Sequence, residues 1–224
     1  DFGDLNSSNL PNPIHTYETP GIYTVTLTVS GPGGNDVETK TDYIVIYEPA
    51  VADFSADTLS GIAPYAISFT DQSVGDYDTW LWNFGDGNTS GEASPQHQYI
   101  SPGIYTVSLT VSGNGGSNTE TKTDYITIYE PITVDFSAEP INGIVPLDVT
   151  FTANIVGDFN AVSWDFGDGN TSSENTPNHT YMNPGSYTVS LTASGNGGSN
   201  SITKINYITV YPLNRFIYLP LIIR

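Results

Sequence analysis

One period runs through the whole chain. Trp164-Asp165-Phe166-Gly167-Asp168-Gly169 repeats Trp82-Asn83-Phe84-Gly85-Asp86-Gly87, and the later part of the same motif opens the sequence as Asp1-Phe2-Gly3-Asp4. The step is 82 residues both times, and the residues downstream keep it without an insertion: His15, His97 and His179; Tyr17, Tyr99 and Tyr181; Pro20-Gly21, Pro102-Gly103 and Pro184-Gly185; Tyr43-Ile44, Tyr125-Ile126 and Tyr207-Ile208. Self-similarity at a fixed step limits the fold before any local pattern does. A unit of roughly 80 residues can enclose a small core of its own, so the period reads as an array of domains and not as a solenoid whose repeats need their neighbours.

Within the period the pattern is all-β. Helical spacing is absent, apolar residues alternate with Thr and Ser, and 22 Gly and 15 Pro punctuate the chain at short intervals, as in a sandwich of short strands. In 50–131, Val51 to Ala56 reads as a first strand, and Ala66 to Thr70 as a second with Ile67 and Phe69 on one face. Trp80 to Phe84 reads as a third, with Trp80, Trp82 and Phe84 together, running into Gly85-Asp86-Gly87-Asn88, a segment suited to the positive φ angles of a tight turn. After Pro102-Gly103, Tyr105, Val107, Leu109 and Val111 alternate with polar residues, the period-two signature of a half-buried strand. A last strand over 120–129 places Ile126 and Ile128 inward, leaving Tyr125 and Tyr129 outward or at a junction. The next copy repeats the scheme with Phe136, Val149, Phe151, Val162, Trp164, Phe166, Tyr187, Val189, Leu191, Ile208 and Val210 as core. The expected organisation is a partial repeat at 1–49 lacking its first strands, full repeats at 50–131 and 132–212, and an apolar tail at 213–224. The junctions Tyr-Glu-Pro-Ala and Tyr-Glu-Pro-Ile are so short that a stiff array is expected.

Charge narrows the partners. With 24 Asp+Glu against five Lys+Arg the net charge is −19, a surface that repels phosphate backbones and anionic headgroups, so nucleic acid and membrane surfaces are poor partners. The absence of Cys removes disulfides and thiolate metal sites, and no run of about 18 apolar residues exists to span a bilayer.

Trp164 to Gly169, His179-Thr180-Tyr181, Pro184-Gly185 and Tyr187-Thr188-Val189-Ser190-Leu191-Thr192 together resemble the PKD (polycystic kidney disease) domain, and the middle copy departs from that pattern only at Asn83. The resemblance covers nearly the whole chain to residue 212. It implies tandem immunoglobulin-like β-sandwiches on an extracellular or cell-surface protein, in a family whose domains serve as spacers or interaction modules beside adhesins, proteases and polysaccharide-degrading enzymes and are not usually catalytic. Fold alone carries the argument no further.

Among residues able to carry chemistry, Asp86, Asp165 and Asp168 suit Ca²⁺ or acid–base work, but each sits in a glycine turn whose N–H groups need acceptors, and no D-x-D-x-D-G loop with its distal Glu is present. The turn reading is preferred, and no cofactor is expected beyond the Ca²⁺ alternative. His15, His97 and His179 stand one per copy, so none has a second His at hand for a metal, and a loop-fixing hydrogen bond is expected. Lys40 and Lys122 lie beside Glu38 and Glu120 and read as solvated strand pairs, with Lys204 at the equivalent position. Tyr43, Tyr47, Tyr125, Tyr129, Tyr207 and Tyr211 offer an aromatic platform for sugars, though packing at junctions is the plainer use. Asn6, Asn88, Asn170 and Asn178 begin Asn-x-Ser/Thr sequons, three of them at the same turn, which makes surface glycosylation an expectation. No nucleophile elbow, Walker loop or paired-Glu signature occurs, so no enzyme is read here.

Two stretches look complementary. The opening copy has no equivalents of Phe54, Ile67, Phe69, Trp80 and Trp82, while Phe216, Ile217, Tyr218, Leu219, Leu221, Ile222 and Ile223 form a strand apolar on both faces. Donation of that strand to the opening copy of the next subunit would produce a head-to-tail filament. The expectation is thus a non-catalytic extracellular rod or filament subunit whose partner is itself or another cell-surface protein. The alternative is a carbohydrate-binding or spacer segment of a larger secreted hydrolase or adhesin.

Overall fold

The computed structural model describes residues 1–213. The expected donor tail, Phe216, Ile217, Tyr218, Leu219, Leu221, Ile222 and Ile223, lies outside the described residues. Contacts gather the chain into two compact units, one formed by Asp1–Thr58, Ile67–His97 and Tyr105–Ile126, the other by Leu59–Ala66, Gln98–Ile104 and the chain from Thr127 onward.

The first unit opens with a hairpin of β1 (Gly21–Gly31) and β2 (Gly34–Ile46), paired antiparallel from Gly31↔Gly34 to Gly21↔Ile46. In the second repeat follow β3 (Phe54–Ala56), β4 (Ser60–Ile62), β5 (Tyr65–Asp71), β6 (Thr79–Asn83), β7 (Thr89–Ser90), β8 (Gln96–Tyr99), β9 (Gly103–Gly113) and β10 (Gly116–Tyr129). They form a three-stranded sheet in the order β3-β5-β8 and a five-stranded sheet in the order β4-β10-β9-β6-β7.

The third repeat lies in the second unit and has the same plan. β11 (Thr133–Glu139), β13 (Leu147–Val156) and β16 (Asn178–Tyr181) make the small sheet. β12 (Asn142–Ile144), β18 (Gly198–Tyr211), β17 (Gly185–Gly195), β14 (Ala161–Asp165) and β15 (Thr171–Ser172) make the large one, in that order. β4 pairs with β10, and β12 with β18, in parallel, whereas β3–β5, β6–β7, β6–β9, β11–β13, β13–β16, β14–β15, β14–β17 and β17–β18 are antiparallel. The two sheets close on Phe136, Val149, Phe151, Trp164, Phe166, Val189, Leu191, Ile208 and Val210, with Leu147 and Tyr181 added to the expected core and Val162 and Tyr187 only partly buried against it. Each large side chain removed from water there contributes about 1.5–3 kcal/mol. The chain is all-β, in immunoglobulin-like sandwiches.

The hairpin strands are too long to stay in register throughout. Pairing slips between Tyr187 and Val189, and between Tyr23 and Val25, and the bulge on the facing strand holds Asn206 and Asp42 at φ of 53° and 51°. Asn and Asp tolerate that conformation better than other side chains.

Candidate functional site

The recurrent Asp-Gly turn and its His form the most elaborate polar constellation of the chain, and it is built three times. In the third repeat, Asp165 Oδ1 accepts the Gly167 N–H at 2.9 Å; Asp168 Oδ1 accepts the Asn170 N–H at 3.1 Å; Asp168 Oδ2 accepts the Asn170 side-chain amide at 3.1 Å. The same oxygen lies 2.8 Å from His179 Nε2. An ionised carboxylate only accepts, so the proton sits on Nε2. The imidazole lies flat on Phe166, with centroids 4.3 Å apart, and edge-on to Tyr181, whose hydroxyl donates to the Phe166 carbonyl at 3.0 Å. Asp86 and His97 repeat this at 2.8 Å with the ring on Phe84, and Asp4 and His15 at 2.7 Å with the ring on Phe2.

Electrostatics follow from those bonds. Burial pushes the Asp86 and Asp168 carboxyls up, but the hydrogen bonds from His97 or His179 and from Asn88 or Asn170 outweigh it and hold both below the usual carboxylate range. Desolvation drives the Tyr181 hydroxyl well above its ordinary value. Of the carboxylates expected for Ca²⁺, both oxygens of Asp86 and of Asp168 and Oδ1 of Asp165 accept hydrogen bonds from the turn or its His, and among the described residues no group of three or more His, Asp or Glu is gathered to hold a metal ion. The amides of the sequon residues Asn6, Asn88 and Asn170 each donate to the Asp two positions earlier, while Asn178 accepts the Thr150 hydroxyl at 2.6 Å.

The lysines correct the expectation of solvated pairs with their strand neighbours. Lys122 Nζ lies 3.0 Å from Asp53 Oδ1, not against Glu120; it also donates to the Phe54 carbonyl and sits 4.5 Å above the Phe54 ring. Lys204 is bound likewise by Asp135 at 2.8 Å, the Phe136 carbonyl and the Phe136 ring at 4.6 Å. Tyr125 and Tyr207 form the other wall of this socket and are half-buried, not outward. Their hydroxyls accept the N–H groups of Ala56 and Ala138 at 3.2 Å. Lys40 has the equivalent aromatic wall, Tyr43 at 4.6 Å, and among the described residues no carboxylate within ion-pair reach.

Two further constellations escaped the sequence reading. Asp71 accepts Trp80 Nε1 at 2.6 Å, the Tyr77 hydroxyl at 3.0 Å and the Ser73 N–H at 2.9 Å. The next repeat has Ala153, Val162, Phe159 and Ile155 at those places, and this joint replacement of polar by apolar residues was the available signal. The other is a clamp on each junction peptide. Glu130 N–H donates to Asp158 Oδ2 at 2.6 Å, Asp158 N–H returns to the Glu130 carbonyl at 3.1 Å, and Ile132 N–H reaches the Gly197 carbonyl at 3.2 Å. Glu48, Asp76, Ala50 and Gly115 repeat it at 2.7, 3.0 and 3.1 Å. A Cβ at Gly197 would stand 2.1 Å from the Glu130 carbonyl oxygen, so only glycine allows this approach.

A surface depression of about 430 Å³ beside Phe159, Val162, Ser173 and Asn175 contains no ionisable side chain. Aspartate, histidine, lysine and tyrosine thus fix turns, strands and junctions among the described residues.

Comparison with known proteins agrees with that division of labour. A family model described as "PKD domain" matches residues 1–46, 48–128 and 132–210. Over 140 residues the chain is 35% identical to "Collagenase ColA" of Clostridium perfringens, which covers 56% of this chain and 12% of that protein. It is 36% identical over 60 residues to "Pre-pro-metalloprotease PrtV" of Vibrio cholerae, covering 27% of this chain and 6% of that one. Among solved structures, the PKD1 domain of Vibrio anguillarum Epp aligns at 31% identity with a TM-score of 0.32, covering 37% of this chain and 99% of that domain. The chain spans about a tenth or less of the length of the curated relatives it matches.

Proposed function

The chain belongs to the PKD domain family, matched in three successive stretches, and from that premise we propose that it is an accessory segment of a larger secreted hydrolase. Its own part in such an enzyme is non-catalytic: the matching portions of the collagenases are their PKD domains and not their catalytic parts. The observation that carries the reading is the pairing of substantial identity with minute coverage of those enzymes. Outside the cell the segment separates and presents the catalytic domain to an insoluble polymer, collagen or polysaccharide. Its acidity keeps it soluble and away from anionic surfaces.

The test is the size of the polypeptide that carries these residues. Denaturing electrophoresis of the secreted fraction, followed by mass spectrometry, is expected to find their peptides on a species several times heavier than 24.1 kDa, together with peptides of a hydrolase domain. Their recovery only on a 24.1 kDa species would overturn the reading.

The filament reading, with the 213–224 tail donated head to tail, draws support from the open apolar face of the β1–β2 sheet. Against it stands the lack of an Asp or Glu side chain from Leu213 to Arg224 to meet Lys40 as Asp53 meets Lys122. Its test is direct: removal of 213–224 abolishes assembly if the tail is the donor and leaves sedimentation unchanged if it is not.

A further inference from the structure

The second and third repeats part company where β6 and β14 begin. In the second, the indole of Trp80 reaches from β6 to Asp71 on β5, which accepts its Nε1–H at 2.6 Å and the Tyr77 hydroxyl at 3.0 Å, and the Trp80 and Tyr77 rings meet edge to face with centroids 5.8 Å apart. In the third, Val162 and Ala153 stand in those places and cannot make the bridge, and a depression of about 430 Å³ lies open beside Val162. Phe159, Asn160, Ala161, Val162, Ser173 and Asn175 line it. Around it the replacements run the other way: Asp78, Gly91 and Ala93 of the second repeat become Asn160, Ser173 and Asn175, each a neutral side chain able to hydrogen-bond. The backbone on both sides is held by the sandwich. The Asn160 N–H donates to the Ser194 carbonyl at 2.9 Å, the Glu174 carbonyl accepts Trp164 Nε1 at 2.8 Å, and the Asn175 carbonyl accepts the Ala153 N–H at 3.0 Å. Phe159, Asn160, Ser173 and Asn175 themselves are exposed.

We propose that this depression of the third repeat is a subsite for a neutral pyranose ring. On the accessory-segment reading, on which this rests, the polymer presented to the enzyme is then a neutral polysaccharide. The size is adequate, since small-ligand sites run from roughly 300 to 1,000 Å³. The Phe159 ring offers a π face, negative at its centre, to the polarised C–H groups of a sugar. Two amides and a hydroxyl, each both donor and acceptor, match ring hydroxyls, which are donors and acceptors as well. An apolar side chain would use the ring and leave the amides to water. A uronic or sulfated ring would find no Lys or Arg in the lining and would approach a chain of net charge −19. The second repeat offers no such subsite, because Trp80 occupies the space and Gly91 and Ala93 bring no polar side chain to it.

The test is a titration of the ¹⁵N-labelled full chain with cellohexaose, xylohexaose and chitohexaose, followed by amide shifts. At least one of them is expected to bind on the order of 1 mM, as befits one ring in a shallow site. The shifts should fall at Phe159, Asn160, Ser173 and Asn175 and in the side-chain amides of the two asparagines, with Tyr77, Asp78, Gly91 and Ala93 unmoved. Asn175→Ala and Phe159→Ala should each weaken binding roughly tenfold or more. Val162→Trp together with Ala153→Asp, which builds the second repeat's indole bridge into the third, should abolish it. Unchanged shifts at Trp164 and Leu191 identify the variants that keep the fold, and the exposed Asn175→Ala serves where the larger changes do not. The subsite is refuted if none of the three sugars moves these resonances at about 10 mM, or if Asn175→Ala binds as tightly as the original. It is equally refuted if a Pro-Pro-Gly repeat peptide moves them and the sugars do not, which would make the occupant a collagen-like chain. The titration does not depend on the size of the polypeptide that carries these residues, so its failure leaves the accessory-segment reading standing, and failure of that reading leaves the sugar shifts to be observed or not.

Discussion

Two glycines two residues apart, Gly167 and Gly169, have φ of +80° and +94° and should respond very differently to the same substitution. At Gly169 an added Cβ meets nothing within 4 Å, so Gly169→Ala bears only the cost of the left-handed conformation, about 1–2 kcal/mol, offset by about 0.5–1 kcal/mol from the stiffer unfolded chain. The net loss is roughly 1 kcal/mol. At Gly167 the new Cβ would stand 2.2 Å from the Thr188 carbonyl oxygen, which lies in β17 next to the Asp165↔Ser190 rung. Relief requires the turn to leave the strand, adding roughly 1–3 kcal/mol or more of overpacking. Gly167→Ala should therefore be destabilising by about 2–4 kcal/mol in total. The chain contains a natural version of the milder change: Leu5 occupies the place of Gly87 and Gly169 with φ of +73° and its side chain in solvent, whereas Gly3, Gly85 and Gly167 are all glycine. Urea unfolding followed by amide exchange at Trp164 and Leu191, both fully buried, measures the pair of variants. Equal losses for the two alanines would refute the argument that the Thr188 carbonyl, and not φ, dominates at Gly167.

Three other outcomes are expected. Replacement of Leu5 by glycine should stabilise the first turn by a few tenths to about 1 kcal/mol, read as slower exchange at the Asn6 and Thr26 amides. The Asp168 carboxyl has a lower pKa folded than unfolded, so the stability it brings is complete above the ordinary carboxylate value of about 3.9 and is lost as pH falls through the lower folded value. Acid titration of the third repeat should show this loss below about pH 4, and Asp168→Asn, itself destabilising at neutral pH by about 2 kcal/mol, should flatten it. Asp158→Ala should free the Glu130 amide, with faster exchange there and at Ile132 and faster proteolytic nicking between Tyr129 and Ile132, while the core of the third repeat around Trp164 stays intact.

Most of the strand pattern was legible because its cause is local. Tyr187, Val189 and Leu191 alternate with polar residues, and a strand with one buried face must do so. What was not legible was short or distant. β4, β7 and β15 span two or three residues each, too few for any period to register, and exist because β10, β6 and β14 offer them an edge. Tyr181 was recognised as part of a motif but not placed in the core. It is fully buried because its hydroxyl finds the Phe166 carbonyl, a partner 15 residues earlier.

The lysines show most clearly why proximity in sequence misleads in a sheet. Glu120 and Lys122 are two apart on β10 and share a face, which suggests a pair, but side chains in that relation stand about 7 Å apart along the strand. Asp53, 69 residues away, arrives just ahead of β3, in the other sheet, together with a carbonyl and an aromatic ring, three favourable contacts at one ammonium against one stretched contact from Glu120. The long-range partner wins because the sandwich brings a whole strand to the lysine, and a strand delivers its backbone as well as its side chains.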